Sequence, residues 1–417
     1  MQNKTLVVIG GGAAGFFCAI NAARINKGLR VILIEKSTKL LSKVKVSGGG
    51  RCNVTHACYS IADLIKYYPR GGSFLKKTFH QFYTEDTIKW FSEREVKLKT
   101  EADGRMFPES NSSQTIIDCL LNEASKFAVE ILMNAEVKKI EPISPSSSSE
   151  SNFNILLNNG KVIQTNYVCV ACGGFPKEAH FDWLKSLGHS IENPVPSLFT
   201  FNMPKNNITE LMGISVPVVS IKIAGNKLEQ SGPLLITHWG LSGPAILKLS
   251  AWGARDFSKT NYEFIAIVNW VPDFNENTLR EEMQQLRFKI AAQKICNRNP
   301  FGLPGRLWEY FLKECEIDQE IRWSDLPVKN QNKLAKVLTG QAFQIKGKTT
   351  FKEEFVTAGG INLSEIDANT MQSKLVKGLF FAGEIIDVDG VTGGFNFQNA
   401  WTTGFIAAKS LGIDLVL

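Results

Sequence analysis

The sequence predicts an α/β fold in which one parallel sheet is built from both ends of the chain, with a β-rich and then a helical stretch inserted between them. Three observations carry this. An apolar run, Thr5-Leu6-Val7-Val8-Ile9, leads directly into Gly10-Gly11-Gly12-Ala13-Ala14-Gly15. A second run, Leu379-Phe380-Phe381-Ala382, ends on Gly383-Glu384 and is followed by Gly393-Gly394-Phe395-Asn396-Phe397-Gln398. Between them the apolar spacing shifts from short strand-like runs to helical spacing.

The N-terminal segment reads as strand, tight turn and helix, the dinucleotide-binding unit of Rossmann-like domains. Gly10 permits the turn, Gly12 lets the backbone approach a pyrophosphate, and Gly15 allows close helix packing. Ala13 and Ala14 open the helix whose N-terminus faces the phosphates. Glu35 closes the next apolar run, Val31-Ile32-Leu33-Ile34, about 20 residues after the last glycine, where an acid takes a ribose hydroxyl. Its charge would repel the 2′-phosphate of NADP. Lys36 follows as a further cofactor contact.

The C-terminal segment offers one ligand the carboxylate of Glu384 and the free N–H groups of a glycine-opened helix, read from about Gln398 to Ser410. This resembles the C-terminal contact of two-dinucleotide-binding-domain flavoproteins, where an acid holds the ribityl chain and a helix N-terminus faces the flavin carbonyl. A nicotinamide enzyme has no need of this second element. FAD is therefore expected in preference to NAD.

At 417 residues the chain has length for two or three domains. A hydrophobic share of 44% with 21% charged residues is that of a soluble globular protein. Glycines interrupt the first apolar run and no other is long enough to span a bilayer, so a secretory signal and a membrane anchor are excluded and a cytoplasmic protein is expected. Its 8 cysteines are then expected as reduced thiols. Cys169 and Cys172 form a CxxC on a strand entering Gly173-Gly174, where residues three apart face opposite sides, against a shared metal or disulfide.

The net charge of +7 comes from 47 basic and 40 acidic residues, unevenly placed. Three stretches hold no acid: Lys36 to Ala62, with Lys39, Lys43, Lys45 and Arg51; Met283 to Trp308, with Arg287, Lys289, Lys294, Arg298 and Arg306; and Leu326 to Lys352, with six lysines. Such stretches mean either a positive field over part of the surface or an uneven solvated face.

The two glycine-rich ends must meet, which defines a discontinuous cofactor domain of residues 1–193 and 357–417. It is expected to include a helical stretch from Thr78 to Glu95 and a hairpin whose tip is Pro142 to Ser149. Short runs such as Val216 to Ala224 and Tyr262 to Val271 predict a small β-barrel-like domain, 194–275 and 341–356. Leu279, Met283, Leu286, Ile290 and Ile295 predict a helical domain over 276–340, interrupted at Phe301-Gly302-Leu303-Pro304-Gly305.

Five segments together resemble the BaiN/RdsA-type flavoproteins, which include aminoacetone-oxidase-like proteins: Gly10 to Gly15; Lys45-Val46-Ser47-Gly48-Gly49-Gly50-Arg51-Cys52-Asn53; Thr237-His238-Trp239-Gly240-Leu241-Ser242-Gly243-Pro244; Thr357-Ala358-Gly359-Gly360-Ile361; and Gly383-Glu384 through Gly404. The resemblance covers nearly the whole chain. It implies an FAD-dependent oxidoreductase of three domains, and a reaction that ranges over small-molecule reduction, amine oxidation and reduction of uridine in ribosomal RNA. Two departures stand out: Ala171-Cys172 where Ala-Thr is usual, and His56 where Asn is commoner.

The resemblance places Ser47 to Asn53 against the flavin ring, with Gly48, Gly49 and Gly50 presenting N–H groups to N5 and O4. Arg51 would reinforce that charge or hold an anionic substrate. Cys52 either gives a proton to a carbon as hydride reaches its neighbour or packs beneath the loop. His238 is either a pocket acid or base or a hydrogen-bonded turn residue. Asp387 and Asp389 are expected to shape their turn by Asx-type hydrogen bonds. Gly173, Gly394, Phe395, Asn396 and Phe397 complete the expected cofactor contacts.

There is no second glycine fingerprint with a following acid, so NADH or NADPH would act only as a transient donor sharing the substrate channel. Three functions remain open. One is reduction of a conjugated C=C, with uridine in ribosomal RNA as leading substrate and the basic stretches as phosphate contacts. Another is oxidation or reduction of a small molecule such as an amino ketone or enone. The third is a binding factor whose flavin is structural. Neither DNA nor a membrane is expected as a partner.

Overall fold

The computed structural model describes residues 4–143, 152–349 and 356–413. The tip of the expected 142–149 hairpin falls largely outside them; its flanks form strands Val137–Pro142 and Phe153–Leu157, paired antiparallel. Among the described residues no helix is long and apolar enough to cross a membrane. The chain divides into two compact units, 1–197 with 351–417, and 198–350.

The first unit is organised by a five-stranded parallel sheet in the order Leu379–Phe381, Tyr167–Val170, Thr5–Ile9, Arg30–Ile34, Glu130–Leu132. Both ends of the chain thus enter one sheet, Val168 pairing with Leu379 and Val8 with Cys169. Leu6, Val7, Val8, Leu33, Val168 and Phe381 are wholly buried, as near-continuous apolar strands of a parallel sheet must be when both faces are covered. The Ala13–Ile25 helix packs along the C-terminal helix, Phe395–Ile413. Gly404 makes this possible, because a Cβ there would stand 2.7 Å from the Ala14 carbonyl oxygen. The predicted helical stretch from Thr78 to Glu95 is two helices, Gly72–Phe79 and Thr84–Ser92.

The strands by which the chain leaves and re-enters this unit, Ile191–Ser197 and Val356–Ile361, run antiparallel. Two polar staples hold the surrounding loops. Asp389, wholly buried, accepts from both Nε and an NH2 of Arg70 and from the Ser197 hydroxyl at 2.8 Å. Burial raises its pKa while Arg70 draws it back. The Asx-type role expected for Asp389 is therefore replaced by a buried ion pair. In the second staple His189 Nδ1 donates to Glu365 at 3.1 Å and its Nε2 accepts from Ser373 at 3.1 Å. The Ser373 hydroxyl also accepts the N–H groups of Leu375 and Val376, so this Ser–His–Glu line is structural.

The second unit carries a seven-stranded sheet in the order Gln341–Lys346, Glu263–Asn269, Ser215–Ile223, Glu229–Thr237, Gly240–Ser242, Thr200–Asn202, Lys348–Thr349. Its two edge strands are consecutive in sequence, separated only by Gly347 at φ +90°. The sheet must therefore curl until its edges meet, the barrel-like form expected. The helices Glu276–Lys289, Gly305–Glu314 and Val328–Gly340 contribute Met283, Trp308, Phe311 and Leu338 to the same buried cluster as Phe201, Ile221 and Ile236 of the sheet. Helices and sheet here share one core.

Burial lowers the pKa of His189 below the ordinary imidazole value, with Glu365 opposing. The unfolded chain then takes up this proton first, so stability from His189 is complete above about pH 6.5 and is lost as pH falls. Thermal melts between pH 7.5 and 5.5 are expected to show falling stability, with a shallower dependence in His189→Asn.

Candidate functional site

At the first glycine turn the geometry leaves little choice of residue. A Cβ on Gly10 (φ +116°) would lie 2.5 Å from the Ala171 carbonyl oxygen, and one on Gly15 would lie 1.9 Å from that of Gly10. Gly12, by contrast, faces open space, with nothing within 4 Å of a built Cβ. Glu35 braces the turn: one carboxylate oxygen accepts from Gly11 N at 2.8 Å and the other from Ser37 N at 2.9 Å. Each oxygen keeps a lone pair for a hydroxyl. The Lys36 ammonium sits 5.9 Å from the centre of the Phe175 ring.

The Ser42–Gly50 helix breaks at Ser47 (ψ 147°), after which Gly48, Gly49 and Gly50 take φ of 58°, 67° and 84°. Gly48 is wedged against Phe107 and the Asn53 backbone, whereas Gly49 and Gly50 meet nothing within 4 Å. One side of this run is thus open to a ligand. Arg51 is already engaged, 2.5 Å from Glu101 Oε1 and with its guanidinium 4.0 Å from the Phe107 ring centre. Cys52 is wholly buried at φ 61°, its N–H bonded to Ser47 O at 3.0 Å. Burial pushes its thiol up to about 12, with Ser47 opposing. The thiol therefore stays protonated and packs beneath the loop.

The same loop is tied to the C-terminal glycines. With its amide oriented to satisfy both neighbours, Asn53 donates to Thr55 O and accepts from Gly394 N, each at 3.0 Å. A Cβ on Gly394 would collide with Thr55 at 2.6 Å. His56 Nδ1 donates to Gly393 O at 3.0 Å, so the departure from Asn keeps a polar role. Phe395 stacks on Tyr67 with ring centres 4.4 Å apart and on His56 at 4.7 Å. Asn396 clamps Gly390 through both ends of its amide at 2.8 Å, and Phe397 stacks on Trp401 at 5.7 Å. Phe395 and Asn396 thus shape the turn with their side chains and leave backbone N–H groups to a ligand.

Glu384 lies between Lys43 Nζ at 2.7 Å and Thr357 N at 2.8 Å. Next to it, a Cβ on Gly383 would lie 2.7 Å from the Ala14 Cβ, so the last glycine turn abuts the first helix. Gly173 at φ 78° faces open space. Four buried side-chain oxygens among the described residues have no partner; besides Thr84 Oγ1 and Gln331 Oε1 they are Thr357 Oγ1 and Asn399 Oδ1. Sequence reasoning missed Lys43, Thr357 and Asn399. Thr357 opens a quoted motif and Lys43 lies in an acid-free run, but neither signal names a partner.

His238 belongs to the second unit. It is exposed in the turn joining Glu229–Thr237 to Gly240–Ser242, where Thr237 Oγ1 donates to Gly240 O at 3.0 Å and a Cβ on Gly240 would meet Phe201 O at 2.0 Å. The tight turn accounts for the glycine there. All eight cysteines are free, and no group of His, Cys, Asp and Glu among the described residues is arranged to hold a metal.

The model of the HI0933-like protein Rossmann domain matches residues 4–410. A ribosomal RNA dihydrouridine synthase of Escherichia coli (strain K12) is 29% identical over 99% of this chain and 98% of its own. A 3-dehydro-bile acid delta(4,6)-reductase of Clostridium scindens is 25% identical over 97% of this chain and 98% of its own. Among solved structures, a 3-ketosteroid-delta4-(5alpha)-dehydrogenase from Rhodococcus jostii RHA1 is similar in fold, with a TM-score of 0.51, 13% identity and 98% of each chain covered.

Loss of the Glu384 carboxylate in Glu384→Ala is expected to weaken FAD retention roughly tenfold to a hundredfold, the worth of one or two charged hydrogen bonds, in a fluorescence titration. Cys52→Ala should lower stability by roughly 1 kcal/mol yet keep turnover within about twofold, which a melt and a rate assay on one preparation would test.

Proposed function

The chain belongs to the HI0933-like Rossmann family and is an FAD-dependent oxidoreductase; from that premise we propose that it reduces the C5=C6 bond of uridine in ribosomal RNA to give dihydrouridine, with reduced nicotinamide as the electron source. The observation that supports the reading is similarity along essentially the whole chain to the Escherichia coli relative. Reduction of a uracil ring adds hydride to one carbon of the C=C and a proton to the other, while nicotinamide is oxidised. A cytoplasmic location goes with this substrate.

The residues present fit FAD. Gly12, Gly49 and Gly50 leave open the faces that a bound dinucleotide would cover, and Thr357 Oγ1 and Asn399 Oδ1 lack partners beside Gly383-Glu384. Glu35 would hold the ribose hydroxyls, the turn at Gly12 the pyrophosphate, and Glu384 with Lys43 the ribityl chain. The flavin supplies hydride transfer, and the chain supplies the setting for it. The N–H groups of Gly48 to Gly50 present fixed dipoles where negative charge accumulates. Lys43 and the Thr357 N–H fix the orientation of the Glu384 carboxylate. Arg51, bonded to Glu101 and stacked on Phe107, stiffens the loop.

A second reading is reduction of a small conjugated enone, and the Clostridium scindens relative favours it. Both readings need a C=C conjugated to a carbonyl. They differ in how much of the protein surface the substrate touches.

The test is anaerobic reduction of the FAD-loaded protein by NADH or NADPH, followed by unmodified ribosomal RNA, a soluble enone or air. Faster reoxidation by RNA than by air, with dihydrouridine detected by mass, is the expected result. Reoxidation by the enone alone would transfer the assignment to the small-molecule reading, and fast reoxidation by air with neither substrate consumed would mean an oxidase.

A further inference from the structure

We infer that the C-terminal end of the Glu276–Lys289 helix and the segments that follow it form an RNA-docking surface, with Phe288 stacking on an unpaired base and Lys289, Arg298 and Arg322 holding phosphates. This rests on the RNA reading above and assigns it a place in the second unit.

The helix turns Leu279, Met283 and Leu286 into the core at spacings of four and three. Phe288, two residues past Leu286, is carried to the other side and is 86% exposed, the highest value among the large apolar side chains of the described residues. Its sequence neighbours are Arg287 and Lys289. Backbone pairing then brings a distant segment alongside: Ile295 N to Ile321 O at 2.9 Å, Trp323 N to Gln293 O at 3.0 Å and Ser324 N to Ala291 O at 3.2 Å. Arg287 seals the junction with a 3.0 Å bond to Ser324 O.

This pairing gathers cations from separate parts of the sequence. Arg322 is bridged to Lys294 through the backbone, and the bond to Glu320 raises the pKa of that lysine with Arg322 opposing. The Arg298 carbonyl accepts the Trp323 indole N–H at 3.2 Å, so the Arg298 backbone lies against the residue that follows Arg322. Arg298 and Arg322 are exposed, and among the described residues neither has a carboxylate within 4.0 Å. Lys289 bonds Gln285 Oε1 at 2.9 Å and lies 3.7 Å from Glu282, which leaves its other ammonium protons to a phosphate.

Charge decides the occupant. A lone exposed Phe among cations is far too little apolar area for a stable protein interface. It has the form of a stacking platform beside phosphate-binding cations, which single-stranded and looped RNA requires.

The test measures binding of protein-free ribosomal RNA and dihydrouridine formation by the full-length, FAD-loaded protein as wild type, Phe288→Ala and the double variant Arg298→Glu/Arg322→Glu. Flavin reduction by nicotinamide and a thermal melt report on folding. Phe288→Ala is expected to weaken RNA binding roughly tenfold. The double variant should reduce the slope of log affinity against log salt by about two, with flavin reduction unchanged in both. Wild type that forms dihydrouridine while all variants bind RNA equally well would overturn the surface alone. Wild type that forms none would overturn the RNA reading and the surface with it. Loss of binding to phosphatidylserine vesicles in Phe288→Ala, with RNA binding intact, would also overturn the surface in favour of a membrane contact.

Discussion

Everything in the first unit depends on how closely two helices from opposite ends of the chain approach at Ala14. Gly404 lets the C-terminal helix touch the Ala14 carbonyl, and Gly383 lets the last strand's turn touch its Cβ. A methyl group at either position would stand 2.7 Å from an atom of Ala14, closer than close-packed neighbours allow without moving apart. That approach sets Leu379–Phe381 at the edge of the sheet and Glu384 within reach of Lys43. The ligand-binding geometry is thus a by-product of helix packing.

Around that contact the polar groups are used economically. Carboxylates are turned by backbone N–H groups, Glu35 by Gly11 and Ser37 and Glu384 by Thr357. Two of the five cations of the first acid-free stretch are matched by acids from elsewhere, Lys43 by Glu384 and Arg51 by Glu101. In the second unit Lys294 and Lys333 find Glu320 and Glu316, but Arg298 and Arg322 do not. Sequence charge and surface charge diverge according to which distant acids the fold returns.

What could be read in advance follows the range of the interactions. Strands Thr5–Ile9, Arg30–Ile34 and Leu379–Phe381 are local apolar runs ended by glycine or acid, and they were legible. The C-terminal helix begins at Phe395, earlier than the expected Gln398, because Gly393 and Gly394 at φ +135° and +95° complete the turn before it. The Lys43–Glu384 pair spans 341 positions and leaves no local pattern, nor does the pairing of Arg70 with Asp389. The role of His56 depends on a carbonyl far along the chain, at Gly393. The burial of Cys52 follows from a left-handed backbone that no neighbouring residue announces. The boundary between β-rich and helical stretches was visible as a change of period, but a period says nothing about which core the apolar face enters.

The split of the first unit has a consequence for the order of assembly. During synthesis residues 198–350 emerge as one uninterrupted piece with their own buried cluster, while the sheet of the first unit still lacks its 379–381 edge strand and the helix that covers Ala14. The later-made unit therefore has the means to fold while the earlier-made one waits, the reverse of the usual N-terminal-first order. Until the C-terminal glycines and helix arrive, the first helix lacks the partners that meet Ala14 in the finished fold, and the last residues made complete the first ones.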